Sequence, residues 1–274
     1  MLRVAFQGEL GAFSEEAANA YFSPRTITTY PLKTLRRIFE SVENRTVDYG
    51  IVPAENSLEG TVNETYDLLL ESPLRICGES KLRIDHCLMA LPSTQARQLS
   101  VVYSHPQALA QCSRFLETLD VRIESTYDTA GSAKLIVDRK LENAGAIASP
   151  RAAQLYGLNI LQMHIANLED NFTRFYVIGH EDTTPTGGTD KTTLVFATKH
   201  TPGSLYRALR ELALREINLT KIESRPMRTT PWEYRFFVEF EGHQTDTPCA
   251  EAIDALRGST TFLKVLGSYR RAAS

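Results

Sequence analysis

The chain has 274 residues, 42% of them hydrophobic and 23% charged, with a formal net charge of −3. That length suits two domains, and that composition suits an ordinary globular protein rather than a disordered or fibrous one. No basic run reaches four residues, so a slightly acidic chain carries no electrostatic footprint for nucleic acid or an anionic membrane.

Arg3 and Gln7 interrupt the first apolar run, which removes it as a signal-peptide core. No window approaches the ~18 apolar residues of a membrane span. Cys77, Cys87, Cys112 and Cys249 are scattered, form no CxxC and have no histidines at zinc spacing. Reduced thiols, no metal and a cytoplasmic location are therefore expected.

Residues 2–6 read as a buried strand entering a loop, and Ser14 before Glu15-Glu16 reads as a helix N-cap. Thr34 opens a second helix with Leu35, Ile38, Phe39 and Val42 on one stripe, and residues 47–52 form a strand stopped by Pro53. A polar loop, residues 54–60, leads into a helix with Val62, Tyr66 and Leu69 facing inward. Leu82, Ile84, His86 and Leu88 alternate with polar neighbours, which predicts a long strand or crossover. Residues 101–103 are a strand, and Ser104-His105-Pro106 opens a helix with Leu109, Cys112, Leu116 and Leu119 buried. A strand at 121–123, a helix capped by Asp128, a small-residue strand at 144–148, a helix from Ser149-Pro150 to Gly157 and a strand at 172–178 complete this part.

Strand and helix alternate throughout residues 1–180, which predicts an α/β domain of two lobes. Residues 181–190, rich in Thr, Pro and Gly, are the linker. Residues 191–274 then give strand 191–199, helix 203–216, strand 217–224, a turn with Pro226 and Pro231, strand 233–241, helix 247–257 and strand 260–267. This is βαββαβ, the ferredoxin-like split unit.

The chain lacks a Walker A sequence, a GxSxG elbow and an HExxH, and Gly8-Glu9-Leu10-Gly11 fails the GxGxxG spacing. No nucleotide, redox or metal cofactor is expected, which leaves a cofactor-free enzyme or a binding protein. Polar residues gather instead in α/β loops: residues 8–14, Glu55-Asn56-Ser57 before Gly60, the stretch from Ser104 to Gln111, and residues 171–176. Taken singly, each fits a turn, a cap or a strand exit. Ser104 and Gln111, seven apart, would stack on one helix face. In a regular strand Thr173 and Phe175 share a face and Arg174 points the other way.

In order, GELGAFSEEA, ENSLEGTV, SHPQALAQC, NFTRF, GSLYRAL and ESRP resemble the signature of the prephenate dehydratase family over nearly the whole chain. The resemblance implies a type II periplasmic-binding-protein-like catalytic domain followed by an ACT domain. It implies decarboxylating dehydration of prephenate to phenylpyruvate in phenylalanine biosynthesis, with arogenate dehydratase or an inactive amino-acid sensor as alternatives. It puts catalytic roles on Thr173, Asn56, Ser104 and Gln111, and substrate contacts on Glu55, Ser57, Arg174 and Phe175. It puts a phenylalanine site on Pro202, Gly203, Ser204, Leu205, Asn218, Leu219, Glu223, Ser224, Arg225 and Pro226. Ser204 departs from the family's Gly-Ala-Leu and bears on effector affinity. An effector bound between subunits implies a homodimer or a homotetramer built as a dimer of dimers. Because the first strand starts at residue 2, no N-terminal chorismate mutase domain is expected.

Overall fold

The computed structural model describes residues 1–227 and 233–272. Chain order begins β1 (Leu2–Gln7), α1 (Phe13–Phe22), β2 (Ile27–Leu32), α2 (Leu35–Glu43), β3 (Tyr49–Asn56) and a short β4 (Gly60–Thr61). Then follow α3 (Asn63–Glu71), β5 (Arg75–Arg83), β6 (Cys87–Ala90), β7 (Val101–Ser104), α4 (Pro106–Gln111), α5 (Ser113–Leu116) and β8 (Arg122–Ser125). Next are α6 (Thr129–Asp138), β9 (Ala144–Ala148), α7 (Pro150–Tyr156), β10 (Asn159–Gln162) and β11 (Phe172–Gly179). The chain closes with β12 (Asp190–Ala197), α8 (Ser204–Ala213), β13 (Leu219–Pro226), β14 (Tyr234–Glu241), α9 (Thr247–Ser259) and β15 (Phe262–Arg270). These elements fall into two compact units: Met1–Thr65 with Ser80–Phe175, and Tyr66–Glu79 with the chain from Tyr176 onward.

Two mixed sheets are built mainly from the strands of the first unit. One has the order β2-β1-β3-β11-β5, with β4 on β3, and β1 runs parallel to both β2 and β3. The other has the order β10-β6-β9-β7-β8, with β7 parallel to β8 and β9 and with β6 antiparallel to β9 and β10. Helix starts in this unit follow local chemistry. Thr34 accepts from Arg37 N at 3.3 Å, Asp128 from Gly131 N at 2.8 Å, and Ser149 from Ala152 N at 3.0 Å. Each such cap stabilises its helix by about 1 kcal/mol. Gly157 ends α7 with φ of 65°, a left-handed conformation that favours glycine.

Three local readings need correction. Helix α1 starts at Phe13 with Ala12 at the cap, so Ser14 lies inside the first turn. The stretch 82–88 is not one strand: β5 stops at Arg83 and β6 starts at Cys87. Between them Ile84 N bonds to Asn171 O at 2.8 Å, tying together the two segments that cross between the sheets. Ser104 is the last residue of β7 rather than a helical residue, so it does not stack on Gln111.

The second unit holds a four-stranded antiparallel sheet of order β13-β14-β12-β15, with α8 and α9 packed together. With the connections β12-α8-β13-β14-α9-β15 it is the ACT-like βαββαβ arrangement. Leu194, Phe196, Val238 and Phe240 meet Ala208, Leu212, Ala252 and Leu256 in one core beneath the helices. Residues of β12 alternate between sheet faces, and the face away from this core mixes apolar groups such as Val195 and Phe237 with buried charged ones. There Lys191 Nζ lies 2.8 Å from Glu239 Oε2 and 3.2 Å from Glu79 Oε2, and all three side chains are buried. Tyr176 donates to Glu239 Oε1 at 2.5 Å, and Tyr66 joins Tyr176 at 2.9 Å. Pro231 lies outside the described residues. Among the described residues, no helix is long and apolar enough to cross a membrane.

Candidate active site

Asn56, at the end of β3, sets the polarity of a chain of side-chain amides. Its Oδ1 accepts from the backbone N–H groups of Leu58 and Glu59 at 2.9 and 3.1 Å, and a backbone N–H can only donate. Its Nδ2 therefore points the other way. There it donates to Asn171 Oδ1 at 2.7 Å and Thr173 Oγ1 at 3.0 Å, with Phe172 O at 3.2 Å. Since Asn171 Oδ1 faces that donor, Asn171 Nδ2 turns to Gln111 Oε1 at 2.9 Å. The same Gln111 oxygen faces His86 Nε2 at 3.0 Å, so this ring nitrogen carries a proton.

Two donors emerge from this accounting. Thr173 accepts from Asn56, which leaves its hydroxyl hydrogen free for a partner in the cavity it lines. Gln111 uses its oxygen twice, which leaves its –NH2 for the same cavity. That cavity, of about 270 Å³, is walled by Asn56, Thr173, Phe175 and Pro53 from the first sheet's side and by His105, Gln107, Gln111 and Thr129 from the second's. Gln7, Phe13, Ser14, Val62, Ile84, His86 and Ala108 complete it. No Lys, Arg, Asp or Glu stands among these residues, so polar recognition falls to amides, hydroxyls and imidazoles. Burial pushes His86 below its ordinary pKa, against the hydrogen bond to Gln111 and the Asp85 charge, which both act to raise it.

The loop after β1 spans from one lobe to the other, and two glycines let it approach closely. At Gly8 (φ +110°) a Cβ would stand 2.9 Å from Asp128 Oδ1; at Gly11 (φ +88°) it would stand 2.9 Å from Ala152 Cα. Between them Glu9 reaches across to Lys134 Nζ at 2.9 Å and Tyr127 Oη at 2.6 Å. Burial acts to raise the Glu9 pKa, but these bonds more than offset it and hold the carboxyl below its ordinary range.

Of the residues expected from sequence, Asn56, Gln111, Thr173 and Phe175 meet in this cavity. The strand alternation places Arg174 on the opposite face, where its Nη2 meets Glu55 Oε2 at 2.7 Å. Ser57 donates to Asp170 O and accepts from Phe172 N, both at 3.0 Å. Ser104 is fully buried and donates to Ile147 O at 2.6 Å, because its place at the end of β7 aims it at the neighbouring β9. Neither Ser104, Ser57, Glu55 nor Arg174 lines the cavity. The sequence reading passed over His86 and Asn171 as site residues. The available signal was a polar residue, His86, in the buried register of Leu82, Ile84 and Leu88.

In the second unit, Pro202, Gly203, Ser204 and Leu205 open α8 and line a cavity of about 610 Å³ with Thr201, Tyr206, Tyr234 and Phe236. Ser204 Oγ lies 2.7 Å from Thr201 Oγ1 and accepts from Arg207 Nη2 at 3.0 Å, so the added hydroxyl is engaged within its own loop. Asn218 precedes β13, and Leu219, Glu223, Ser224, Arg225 and Pro226 lie on that edge strand; none lines this cavity. Arg225 Nη1 pairs with Asp67 Oδ1 at 2.9 Å.

Comparison with known proteins gives the family. Residues 4–183 match the prephenate dehydratase family profile. The chain is 44% identical over 278 residues to arogenate dehydratase/prephenate dehydratase 2 of Arabidopsis thaliana, a chloroplastic protein, covering 98% of this chain and 72% of the relative. A solved prephenate dehydratase from Arthrobacter aurescens in complex with L-Phe superposes with a TM-score of 0.90 at 31% identity, covering 98% of this chain and 90% of that one. GqqA, a novel type of quorum quenching acylase, superposes at 0.89 with 33% identity over 99% and 98% of the two chains. With a family match over most of the first unit and the amide-lined cavity inside it, the chain belongs to the prephenate dehydratase family of carbon–oxygen lyases.

Proposed function

We propose that this chain converts prephenate to phenylpyruvate in phenylalanine biosynthesis, under feedback from L-phenylalanine. The ring carboxylate leaves as carbon dioxide, its bonding electrons enter the ring to complete the aromatic sextet, and the C4 hydroxyl departs with one proton as water. The aromatic product drives the reaction, and the barrier is the poor hydroxide leaving group. The observation that carries this reading is Thr173: its oxygen accepts from Asn56, so its O–H is left to donate into the cavity. A hydroxyl so oriented stabilises developing charge on the departing oxygen without reorganisation. The Gln111 –NH2 suits a substrate carboxylate, and Phe175 supplies an apolar wall that favours loss of a desolvated carboxylate. Ser104, Glu55, Ser57 and Arg174 act from behind the wall by holding Ile147, Phe172 and the end of β3.

Catalysis is assigned to residues 1–180 and effector binding to residues 191–274, joined by 181–190. The Pro202–Leu205 cavity supports the effector role, as does the relative that holds L-Phe. Glu223–Pro226 stand on an edge strand away from that cavity's lining, which suits a site completed by a second copy in a homodimer or a dimer of dimers. A cytoplasmic location fits the free cysteines. Arogenate is the competing substrate, since one relative carries both activities in its name.

The test is incubation with prephenate, reading phenylpyruvate by its alkaline absorbance, beside a folded Thr173→Ala variant and a parallel arogenate assay read as phenylalanine. Turnover of prephenate that collapses in Thr173→Ala supports the reading. Turnover of arogenate alone transfers the assignment to that substrate, and turnover of neither overturns it.

A further inference from the structure

The amide chain ends on a histidine, and that end is unusual. His86 is 3% exposed, with Nε2 on Gln111 Oε1 and with Nδ1 buried against no hydrogen-bond partner. Its ring meets Phe13 edge to face at 5.5 Å between centroids. A second proton on Nδ1 would bury a cationic N–H without an acceptor, which costs far more than a bare lone pair. The ring is therefore neutral and protonated on Nε2. The direction of its pKa, lowered chiefly by burial, agrees.

Resting on the dehydratase reading for its kinetic arm, we infer that His86 is a positioning residue for substrate binding: its Nε2–H locks the Gln111 carboxamide with the –NH2 toward the cavity. Two donors, His86 Nε2 and Asn171 Nδ2, converge on the same Gln111 oxygen. A flipped Gln111 would set its –NH2 against both and present an acceptor to a substrate carboxylate. Without His86 only one donor opposes the flip. His86 thus fixes the carboxylate-binding end of the chain, whereas Asn56 fixes Thr173 at the other. The two ends give separate kinetic signatures: loss of the His86 donor falls on KM, and loss of the Thr173 hydroxyl falls on kcat.

The experiment combines a double-mutant cycle with imidazole nitrogen NMR, on full-length protein whose folding is checked by circular dichroism. His86→Leu is expected to raise KM about tenfold with kcat within about twofold. His86→Gln, which places an N–H near the Nε2 position, restores most of that loss. In a Gln111→Leu background, His86→Leu adds less than about twofold, because the residue it orients is gone. A kcat loss as large as the KM effect, failure of His86→Gln to rescue in a folded protein, or additive losses in the cycle would overturn the inference. The NMR arm needs no turnover: a neutral ring protonated on Nε2 is expected, and a cationic or Nδ1-protonated ring overturns the lock. If the parent turns over neither prephenate nor arogenate, the dehydratase reading falls and the NMR result alone judges the lock.

Discussion

Each unit buries a polar network, and the two are built from opposite materials. In the first unit the chain His86–Gln111–Asn171–Asn56–Thr173 is made of amides, an imidazole and a hydroxyl, and it ends with donors directed into an open cavity. In the second, Lys191, Glu79, Glu239, Tyr176 and Tyr66 form a charged cluster whose groups turn toward one another. A network that satisfies itself holds strands in place, whereas one with donors to spare is prepared for a ligand. Charge is tolerable in the first kind because its partners are permanent. Neutral groups suit the second kind because they must stand without a substrate between turnovers.

The comparison is broken most readily at Lys191. Replacing it by methionine leaves Glu79 and Glu239 buried together without their shared cation. The expected cost is about 3–5 kcal/mol of stability, read from urea denaturation. A variant as stable as the parent would show that the cluster is not held by its central charge. Thr173→Val, nearly isosteric, removes the donor aimed into the cavity, while Asn56 Nδ2 loses one acceptor and keeps Asn171 Oδ1 at 2.7 Å. We expect kcat to fall about 10²–10³-fold while the urea midpoint stays close to the parent's. An equal loss of stability and activity would erase the distinction between the two networks.

Ser104→Ala sharpens the same boundary with a smaller effect. Its hydroxyl serves Ile147 O inside the second lobe and does not reach the cavity. Loss of a buried donor is expected to cost about 1–3 kcal/mol of stability, with a change in kcat well below that of Thr173→Val. Melting curves and steady-state kinetics on the one variant check both halves.

These contrasts also mark what the sequence could show. The βαββαβ order and the strand–helix alternation were legible, because burial periodicity and caps such as Thr34, Asp128 and Ser149 are local signals. Thr173 and Phe175 facing one way and Arg174 the other followed from strand geometry alone. Three things were not legible. Ser104 was placed on a helix because the adjacent Pro106 marks a helix start, yet strand β7 extends one residue further. The break at residues 84–86 was hidden by an apolar alternation that continues through it. The role of His86 depends on which atom of Gln111 faces it, and that is settled only by backbone N–H groups at Leu58 and Glu59, far away in the chain.

The smallest effect is a slope of stability with pH. Burial is the chief cause that lowers the His86 pKa in the folded chain below the ordinary value near 6.5. Between that lowered value and 6.5 the unfolded chain binds the proton and the folded chain does not, so stability rises with pH across this window. The contribution of the neutral ring is complete above 6.5. It is lost progressively as pH falls to the folded value, below which the curve flattens. The slope cannot exceed about 1.4 kcal/mol per pH unit for one group. His86→Gln has no proton to take up, so the difference between its urea midpoint and the parent's should narrow, or move in the variant's favour, on going from pH 7.5 to pH 5. A constant difference over that range would mean that the buried ring does not resist its second proton. It would thereby remove the physical reason for an uncharged end to the amide chain.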